Sequence, residues 1–215
     1  MHHRTIARGF LAILGISLGF AFWTESVYAG GGNVLPPTAK PKGYSLSDIA
    51  EATAVFNTLG SNGRSTATEP SVPFQILYNS NINQPHNTFF VRPGTMFYVP
   101  IFLSDDSPPI IGDFPADVTD QNAVADYFFD EEQLGAVFLE VVVDGEVTSV
   151  GPDYVVGVET PPLSDGGGTH YIVSAVFLTP LTKGTHTVQI RGLLTGAALG
   201  GDVFVFEITY TVIVR

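Results

Sequence analysis

Carboxylate side chains are the groups in this sequence whose number and spacing suit chemistry. Between Arg92 and Lys183 lie 90 residues that include no lysine or arginine and fifteen aspartates and glutamates. Many of them fall in the proline-rich stretch 104–120, and Asp165 stands beside the glycine run 166–168. Clustered oxygen ligands suit a hard cation such as Ca²⁺. The candidate metal ligands are Asp105, Asp106, Asp113, Asp117, Asp120 and Asp165.

Three interpretations of this acidic run remain open. The simplest is a solvated surface that keeps the protein in solution. The second is a calcium site, which requires the two acidic loops to meet at one end of the fold. Neither loop fits the D-x-[DN]-x-[DN]-G pattern of a calcium-binding helix–loop–helix. The third is a surface for a cationic partner. The sequence indicates no cofactor other than this candidate Ca²⁺.

The same carboxylates could serve a hydrolase, because glycosidases use a pair of Asp or Glu side chains. Sugar sites usually also present a tryptophan platform, whereas the single tryptophan here is Trp23, close to the N-terminus. Tyrosines would have to replace it, namely Tyr98, Tyr127, Tyr154 and Tyr171. A glycosidase-like hydrolase that uses paired loop carboxylates is therefore the alternative to a binding function, and no residue is assigned as catalytic.

Other catalytic groups are scarce. The chain has no cysteine, which removes thiol catalysis, disulfides and cysteine-bound metals. No G-x-S-x-G motif marks a serine nucleophile. Three histidines follow residue 29, namely His86, His170 and His186, and their spacing matches no zinc motif. His186 lies at the start of a predicted strand, at a corner where a structural hydrogen bond is expected.

The first 29 residues have the pattern of a secretory signal peptide. Arg4 and Arg8 precede an apolar stretch of 15 residues at 9–23, and Val27 and Ala29 place small residues before a predicted cleavage site. The apolar stretch is short for a membrane-spanning helix, and no other apolar stretch in the mature chain is long enough to span a membrane. We therefore expect a secreted protein, extracellular or periplasmic, that starts near residue 30.

Charge narrows the range of partners. Without its first 29 residues the chain has 186 residues, with seven Lys and Arg against twenty Asp and Glu and hence a net charge of −13. Nucleic acids and anionic membranes are bound through clustered Lys and Arg, so both are disfavoured. The expected partner is a protein or a glycan of unknown identity.

Local patterns predict the elements that must position the carboxylates. Residues 30–44 are rich in Gly and Pro and predict a flexible linker. Apolar residues at spacings of three and four predict a helix over 45–59, capped by one of its first serines. A second helix is predicted to begin after Asp120 and to extend to about Leu134.

The rest of the chain predicts about nine β-strands. The clearest signal is a hairpin of 136–143 and 146–150, in which Asp144 and Gly145 suit the positive φ angles of a type I′ turn. The last segment, 203–214, alternates with a period of two and predicts a half-buried antiparallel strand.

The C-terminal part resembles bacterial immunoglobulin-like and fibronectin-type domains, in which the pattern L-x-x-G-x-[HY]-x-[VI] recurs. The matching residues are Leu181, Gly184, His186 and Val188. The resemblance covers roughly 169–215 and concerns architecture alone. More broadly, the segments FVRPGTMFYVPIFL and PLTKGTHTVQIRG and the Asp-Gly hairpin are similar to an uncharacterised family of secreted bacterial β-sandwich proteins. That similarity implies export and a sandwich, and it transfers no functional residue.

These observations lead to one expected fold and function. The fold is mainly β: an immunoglobulin-like antiparallel β-sandwich over 45–215, a single domain with one leading and one inserted short helix. The function is that of a secreted, non-catalytic binding or structural module that acts through its loops and its acidic face. A further interpretation is assembly with a partner through 136–143 or through the strand containing Phe204 and Phe206, if these lie at a sheet edge.

Overall fold

The computed structural model describes residues 32–64, 66–79 and 86–215, so the predicted signal peptide at 1–29 lies outside the described residues. The described residues form a mainly β structure. Its helices are α1 (Leu46–Asn57), α2 (Ser61–Arg64) and α3 (Gln121–Phe129). Its strands are β1 (Gln75–Ile76), β2 (His86–Val91), β3 (Phe97–Asp105), β4 (Ala136–Val143), β5 (Glu146–Ser149), β6 (Val155–Glu159), β7 (His170–Leu178), β8 (Gly184–Leu194) and β9 (Phe204–Val214).

The strands form two sheets packed against each other. The four-stranded sheet has the order β1-β3-β7-β6, and the five-stranded sheet has the order β2-β9-β8-β4-β5. Most neighbours are antiparallel, but β1 runs parallel to β3 and β2 runs parallel to β9. The prediction of a mainly β, two-layer structure is confirmed, and the prediction of a purely antiparallel one is wrong for these two pairs.

Chain order accounts for the two parallel pairs. Strand β2 separates β1 from β3 along the chain but lies in the other sheet, and its own partner is the last strand. Parallel neighbours need such a crossover, whereas a tight turn can only join antiparallel strands. Alternation in the sequence has the same period in both arrangements, so it could not distinguish them.

Strand β7 lies in the interior, and its residues 171–178 are all buried. One face of its sheet packs toward the five-stranded sheet. Helix α1 covers β6 and β7 on the other face, where Ile49, Ala50 and Ala54 are fully buried. Helix α3 also packs against β6. A strand covered on both faces has no polar side, which is why 171–178 reads as a continuous apolar run.

The helices begin where they were predicted but end earlier. Ser45 and Asp48 form a reciprocal capping box at the start of α1, and Asp120 caps α3. Helix α3 ends at Phe129, before the predicted end at Leu134. The carboxylates at 130–132 therefore follow the helix as a turn, which avoids negative charge at the C-terminal end of the helix dipole.

Positive φ angles occur where the hairpin prediction required them. Asp144 has φ 50° and Gly145 has φ 89°, which confirms the type I′ turn between β4 and β5. The last strand also follows its predicted alternation, since Tyr210 and Val212 are buried while Val205 is exposed.

The segment 30–44, predicted to be a flexible linker, instead packs against the sandwich from Gly32 onward. Val34 is buried and forms a bridge to Leu178, and the Leu35 N–H donates to the Phe177 carbonyl at 2.9 Å. The segment also forms turns and a short 3-10 helix at Pro41–Gly43, and its Gly- and Pro-rich composition could not reveal the apolar surface on which it lies. None of the helices within the described ranges is long and apolar enough to cross a membrane.

Two buried tyrosines provide a matched test of the core. The Tyr171 hydroxyl accepts a hydrogen bond from Asn57 Nδ2 at 3.2 Å, whereas the Tyr98 hydroxyl has no hydrogen-bond partner among the described residues. We expect Tyr171→Phe to lower the free energy of unfolding by about 1–2 kcal/mol, because it removes a buried hydrogen bond. Tyr98→Phe should leave that free energy unchanged or raise it. Urea unfolding of both variants measures the difference, and equal losses would contradict the assignment.

Candidate functional site

Four connections lie side by side at one end of the sandwich, which we call the loop end: 106–120, 130–135, 160–169 and 195–203. Strand β3 ends here, and β4, β7 and β9 begin here. Backbone and side-chain hydrogen bonds tie the connections together. The Asp113 N–H donates to Gln133 Oε1 at 2.9 Å, and further contacts join 195–203 to 130–135 and 160–169 to 106–120.

Asp106 holds the start of β7 against the loop after β3. Its Oδ1 accepts from the backbone N–H groups of Thr169 at 2.7 Å and His170 at 2.9 Å, and its Oδ2 lies 2.7 Å from His170 Nδ1. Burial by itself raises the pKa of Asp106, but the hydrogen bonds from His170 and Thr169 outweigh it and lower that pKa below its ordinary value. Asp106 is therefore an ionised structural acceptor that joins two loops.

Asp105 and Asp165 meet across the same junction. The Ser107 N–H donates to Asp105 Oδ1 at 2.8 Å, and Ser107 Oγ donates to Asp165 Oδ1 at 3.0 Å. Burial raises the pKa of Asp105; hydrogen bonds from Ser107 oppose this, and the neighbouring Asp165 carboxylate adds to it, so the net pKa is raised. This pair lines a cleft of about 280 Å³ with Pro108 and Ile111.

The glycine run 166–168 is required for this contact. A Cβ at Gly168 would lie 2.6 Å from the Ser107 amide nitrogen and would also collide with the Asp106 carboxylate. A Cβ at Gly166 would lie 2.6 Å from the Ser107 Cβ. Side chains at either position would separate the two loops, so the glycines serve close approach as well as turning.

The remaining candidate ligands lie apart from this pair. Asp117 accepts hydrogen bonds from the Thr119 N–H and hydroxyl within its own turn, and Asp120 is committed to the cap of α3. Asp113 is exposed. The structure thus brings three of the six predicted metal ligands to one junction, Asp105, Asp106 and Asp165, and there the Asp106 carboxylate is already occupied by Thr169 and His170. Within the ranges described, no group of three His, Cys, Asp or Glu residues is placed to hold a metal ion.

His186 has the structural corner role that its position predicted. Its Nε2 lies 2.8 Å from the Thr182 carbonyl oxygen, and its Nδ1 lies 2.6 Å from Asp144 Oδ2. Both ring nitrogens therefore face acceptors, and the bond to Asp144 raises the pKa of His186 despite partial burial. For His86 the structure describes the backbone alone, as the first residue of β2.

Sequence reasoning identified the strand containing Phe204 and Phe206 as a candidate contact with a partner, but it missed the exposed apolar side chains that join Phe204 at the loop end. Ile111 is 46% exposed, and Phe204 is 48% exposed. These two residues line one cleft of about 490 Å³ together with Leu199 and Asp202. Ile110, Val203 and Val205 are also exposed nearby. The available signal was the stretch 203–206, which is apolar at every position and so cannot bury both of its faces at a sheet edge.

The same four connections are rich in carboxylates, and Asp202 and Asp165 each line a cleft together with Ile111. The four connections of the loop end contain no lysine or arginine. Among the described residues the ion pairs are Asp106–His170, Asp144–His186 and Glu140–Arg191, and only the first lies at the loop end. The exposed acidic residues of the loop end are Asp113, Asp117, Asp120, Asp130, Glu131, Glu132, Asp165 and Asp202.

Comparison with known proteins identifies no family. No family model matches the chain, and no curated protein matches it. Among solved structures, the cysteine protease inhibitor EhICP2 from Entamoeba histolytica is 14% identical with a TM-score of 0.32, covering 68% of this chain and 99% of that one. The solution structure of Amebosin is 13% identical with a TM-score of 0.28, covering 67% of this chain and all of its own. Similarity at this level supports no inference about function.

The Asp144–His186 pair predicts a defined pH dependence of stability. The pKa of His186 is raised in the folded state, so its contribution is complete below its ordinary pKa of 6.5 and is lost as the pH rises through the folded value. The pKa of Asp144 is lowered, because hydrogen bonds from His186 and Thr187 outweigh burial. Its contribution is complete above 3.8 and is lost as the pH falls through the folded value.

We therefore expect Asp144→Asn to lower the melting temperature most near pH 5–6 and less near pH 9. Asparagine retains the turn conformation and the acceptor for Thr187, so the variant isolates the charge. Asp113→Asn, which removes an exposed carboxylate without a described ion pair, is the matched control. A difference between wild type and Asp144→Asn that is constant across this pH range would show that the ion pair contributes nothing.

Proposed function

We propose that this protein is a non-catalytic binding module whose loop end binds a partner protein that presents basic and apolar side chains together. The observation that carries the proposal is the cluster of exposed apolar residues, among them Ile111, Val203 and Phe204, within a rim of unbalanced carboxylates. A contiguous apolar patch with a polar rim is typical of protein interaction sites. The negative rim would accelerate encounter with a basic partner and reject acidic ones.

The hydrogen bonds that the loop side chains already make favour a binding function over a catalytic one. Asp106, Asp117 and Asp120 each accept hydrogen bonds that hold the backbone of their own or a neighbouring loop. His170 bonds to Asp106, and Ser107 bonds to Asp165. These groups make the loop end a fixed surface, and a pre-formed surface binds with a smaller loss of conformational entropy.

The hydrolase alternative now depends on Asp105 and Asp165, since the raised pKa of Asp105 suits a general acid. Ser107 bridges their carboxyl groups, because its N–H donates to Asp105 and its hydroxyl donates to Asp165. Glycosidases need roughly 5 Å or more between the two carboxyl groups, to leave room for the sugar and the nucleophile. We expect wild type and Asp105→Asn to be equally inert toward chromogenic glycosides; hydrolysis that disappears in Asp105→Asn would establish the hydrolase instead.

The arrangement of the six predicted aspartates favours the protein-partner proposal over the calcium hypothesis. Ca²⁺ takes six to eight oxygen ligands. The junction offers the Asp105 and Asp165 carboxylates and the Ser107 hydroxyl, whereas the Asp106 carboxylate there is occupied by Thr169 and His170. The other three predicted aspartates, Asp113, Asp117 and Asp120, lie in separate turns. The rim carboxylates therefore act in the proposal as an electrostatic surface.

Export and architecture belong to the proposal as well. An extracellular or periplasmic location is proposed from the signal-peptide pattern of residues 1–29. An immunoglobulin-like relationship is supported by the two facing sheets and by the His186 corner between Leu181 and Val188. In such sandwiches the binding loops commonly cluster at one end.

The proposal predicts how a basic amphipathic peptide built from lysine and leucine would bind. We expect Ile111→Ser and Asp113→Asn each to weaken binding, because one removes apolar contact and the other removes rim charge. Calorimetric titration at two salt concentrations measures both effects, and the affinity should fall at the higher salt.

The opposite end of the sandwich offers matched controls. Val147 is 47% exposed, almost the same as Ile111 at 46%, and Glu146 is an exposed carboxylate beside it on β5. Val147→Ser and Glu146→Gln should therefore leave binding unchanged. If these controls weaken binding as much as Ile111→Ser and Asp113→Asn do, the peptide recognises net charge, and the loop end is not the binding surface.

A further inference from the structure

A second cleft opens between the two sheets, on the side where each sheet has an edge without an outer neighbour in the described residues. Strand β1 pairs with β3 only at Phe97 and Tyr98, and β2 pairs with β9 only from Thr209 onward. The second half of β3 and the first half of β9 therefore face each other without a covering strand among the residues described. The space between them has a volume of about 240 Å³.

The wall of this cleft is largely apolar. Its aliphatic and aromatic lining comes from both sheets, and it includes Ile101, Phe102, Ile190, Phe206 and Ile208. Phe102 stacks on Phe206 with ring centroids 5.9 Å apart, so this part of the wall is fixed by packing. Concave apolar sites with a few polar groups are the usual form of small-molecule sites.

The charged group among the described residues that line the cleft is Arg64, at the end of α2; Asn57, Tyr78, Asn79 and Tyr210 add neutral polar groups. The Arg64 Nε donates to the Asn79 carbonyl at 3.0 Å, and its Nη1 donates to the carbonyls of Asn57 at 2.6 Å and Leu59 at 2.5 Å. All three acceptors are neutral backbone oxygens. Its Nη2 has no hydrogen-bond partner in the part of the chain that the structure describes, and none of the ion pairs there includes Arg64.

This arrangement leaves a half-buried positive charge without a balancing anion among the described residues. Burial lowers the pKa of Arg64, since a guanidinium loses hydration there, although arginine remains protonated in proteins. Buried charges are ordinarily paired. The chain as a whole is strongly acidic, with a net charge of −12, yet no described carboxylate forms an ion pair with Arg64. A carboxylate beside the cleft is that of Glu69, and it accepts a hydrogen bond from the Tyr78 hydroxyl at 2.7 Å. The backbone bonds instead hold the guanidinium in place, with one nitrogen still able to donate.

We propose that this cleft binds an unbranched aliphatic carboxylate, with the carboxylate at Arg64 and the hydrocarbon chain along the wall formed by Phe102, Phe206 and Ile208. Arginine is suited to carboxylate recognition because its donors are planar and permanently charged. The volume of about 240 Å³ lies below the usual range for drug-sized ligands, which favours a chain of medium length. The two clefts share Phe204, but this inference does not depend on the proposed function, because the group that would bind the carboxylate, Arg64, lies outside the loop end.

The test compares octanoate with octanol, which has the same chain length and no charge, by calorimetric titration of the full chain at physiological salt. We expect octanoate to bind about 10- to 100-fold more tightly than octanol, which is the affinity ratio that one charged hydrogen bond usually provides. Arg64→Gln should abolish this preference, whereas Arg92→Gln, which removes an exposed arginine, should preserve it. Ile208→Ala should weaken both ligands by a similar factor, because it shortens the apolar wall and leaves Arg64 in place.

Arg64 also supports the fold through its three backbone bonds, so far-ultraviolet circular dichroism must show that Arg64→Gln is folded. If it is not, Arg64→Lys keeps the charge but loses the planar donors, and its octanoate affinity should fall while its octanol affinity stays. Equal affinity of the wild type for the two ligands would overturn the proposal. So would a lack of octanoate binding at millimolar concentration, or unchanged octanoate binding by Ile208→Ala.

Discussion

The burial of strand β7 on both of its faces is the constraint on which the rest of the structure depends. A strand with eight buried residues in a row needs a second sheet on one side and helices on the other. Helix α1 supplies most of the second cover, and α3 extends it over β6. Because α3 lies between β3 and β4 in the chain, its connections 106–120 and 130–135 must lie at the end of the sandwich where β3 stops and β4 starts. The loop end is therefore a consequence of covering the sheet.

The loop end shows how an acidic sequence can be both rigid and interactive. Carboxylates inside the junction are neutralised by hydrogen bonds rather than by lysine or arginine: Asp106 accepts from two backbone N–H groups and from His170, and Asp165 accepts from Ser107. This use of local donors holds the loops without any cation. The carboxylates outside the junction are exposed: Asp117, Asp120 and Asp130 accept hydrogen bonds only within their own turns or cap, and none has an ion-pair partner among the described residues. Their charge therefore remains available at the surface to a partner.

The opening between the sheets has a different origin. The chain passes from the four-stranded sheet to the five-stranded sheet between β1 and β2, and within the described ranges neither strand covers the full length of its neighbour. The same crossing that makes two strand pairs parallel leaves half of β3 and half of β9 without an outer neighbour among the residues that the structure describes. Arg64 stands beside that opening because α2 follows α1 directly and its guanidinium bonds the carbonyls at the end of α1.

The sequence by itself determined the local elements: the capping box at Ser45, the Asp144-Gly145 turn, the alternating last strand and the corner at His186 each depend on contacts within a few residues or on backbone angles. Only the tertiary structure decided which elements meet. It joined Asp105 to Asp165 and separated Asp113, Asp117 and Asp120 from them, and it placed 32–44 on the sandwich. It also brought Ile111 beside Phe204 and Arg64 beside the apolar wall. Such pairings depend on sheet order and crossover direction, and a period of two in the sequence is the same for every sheet order.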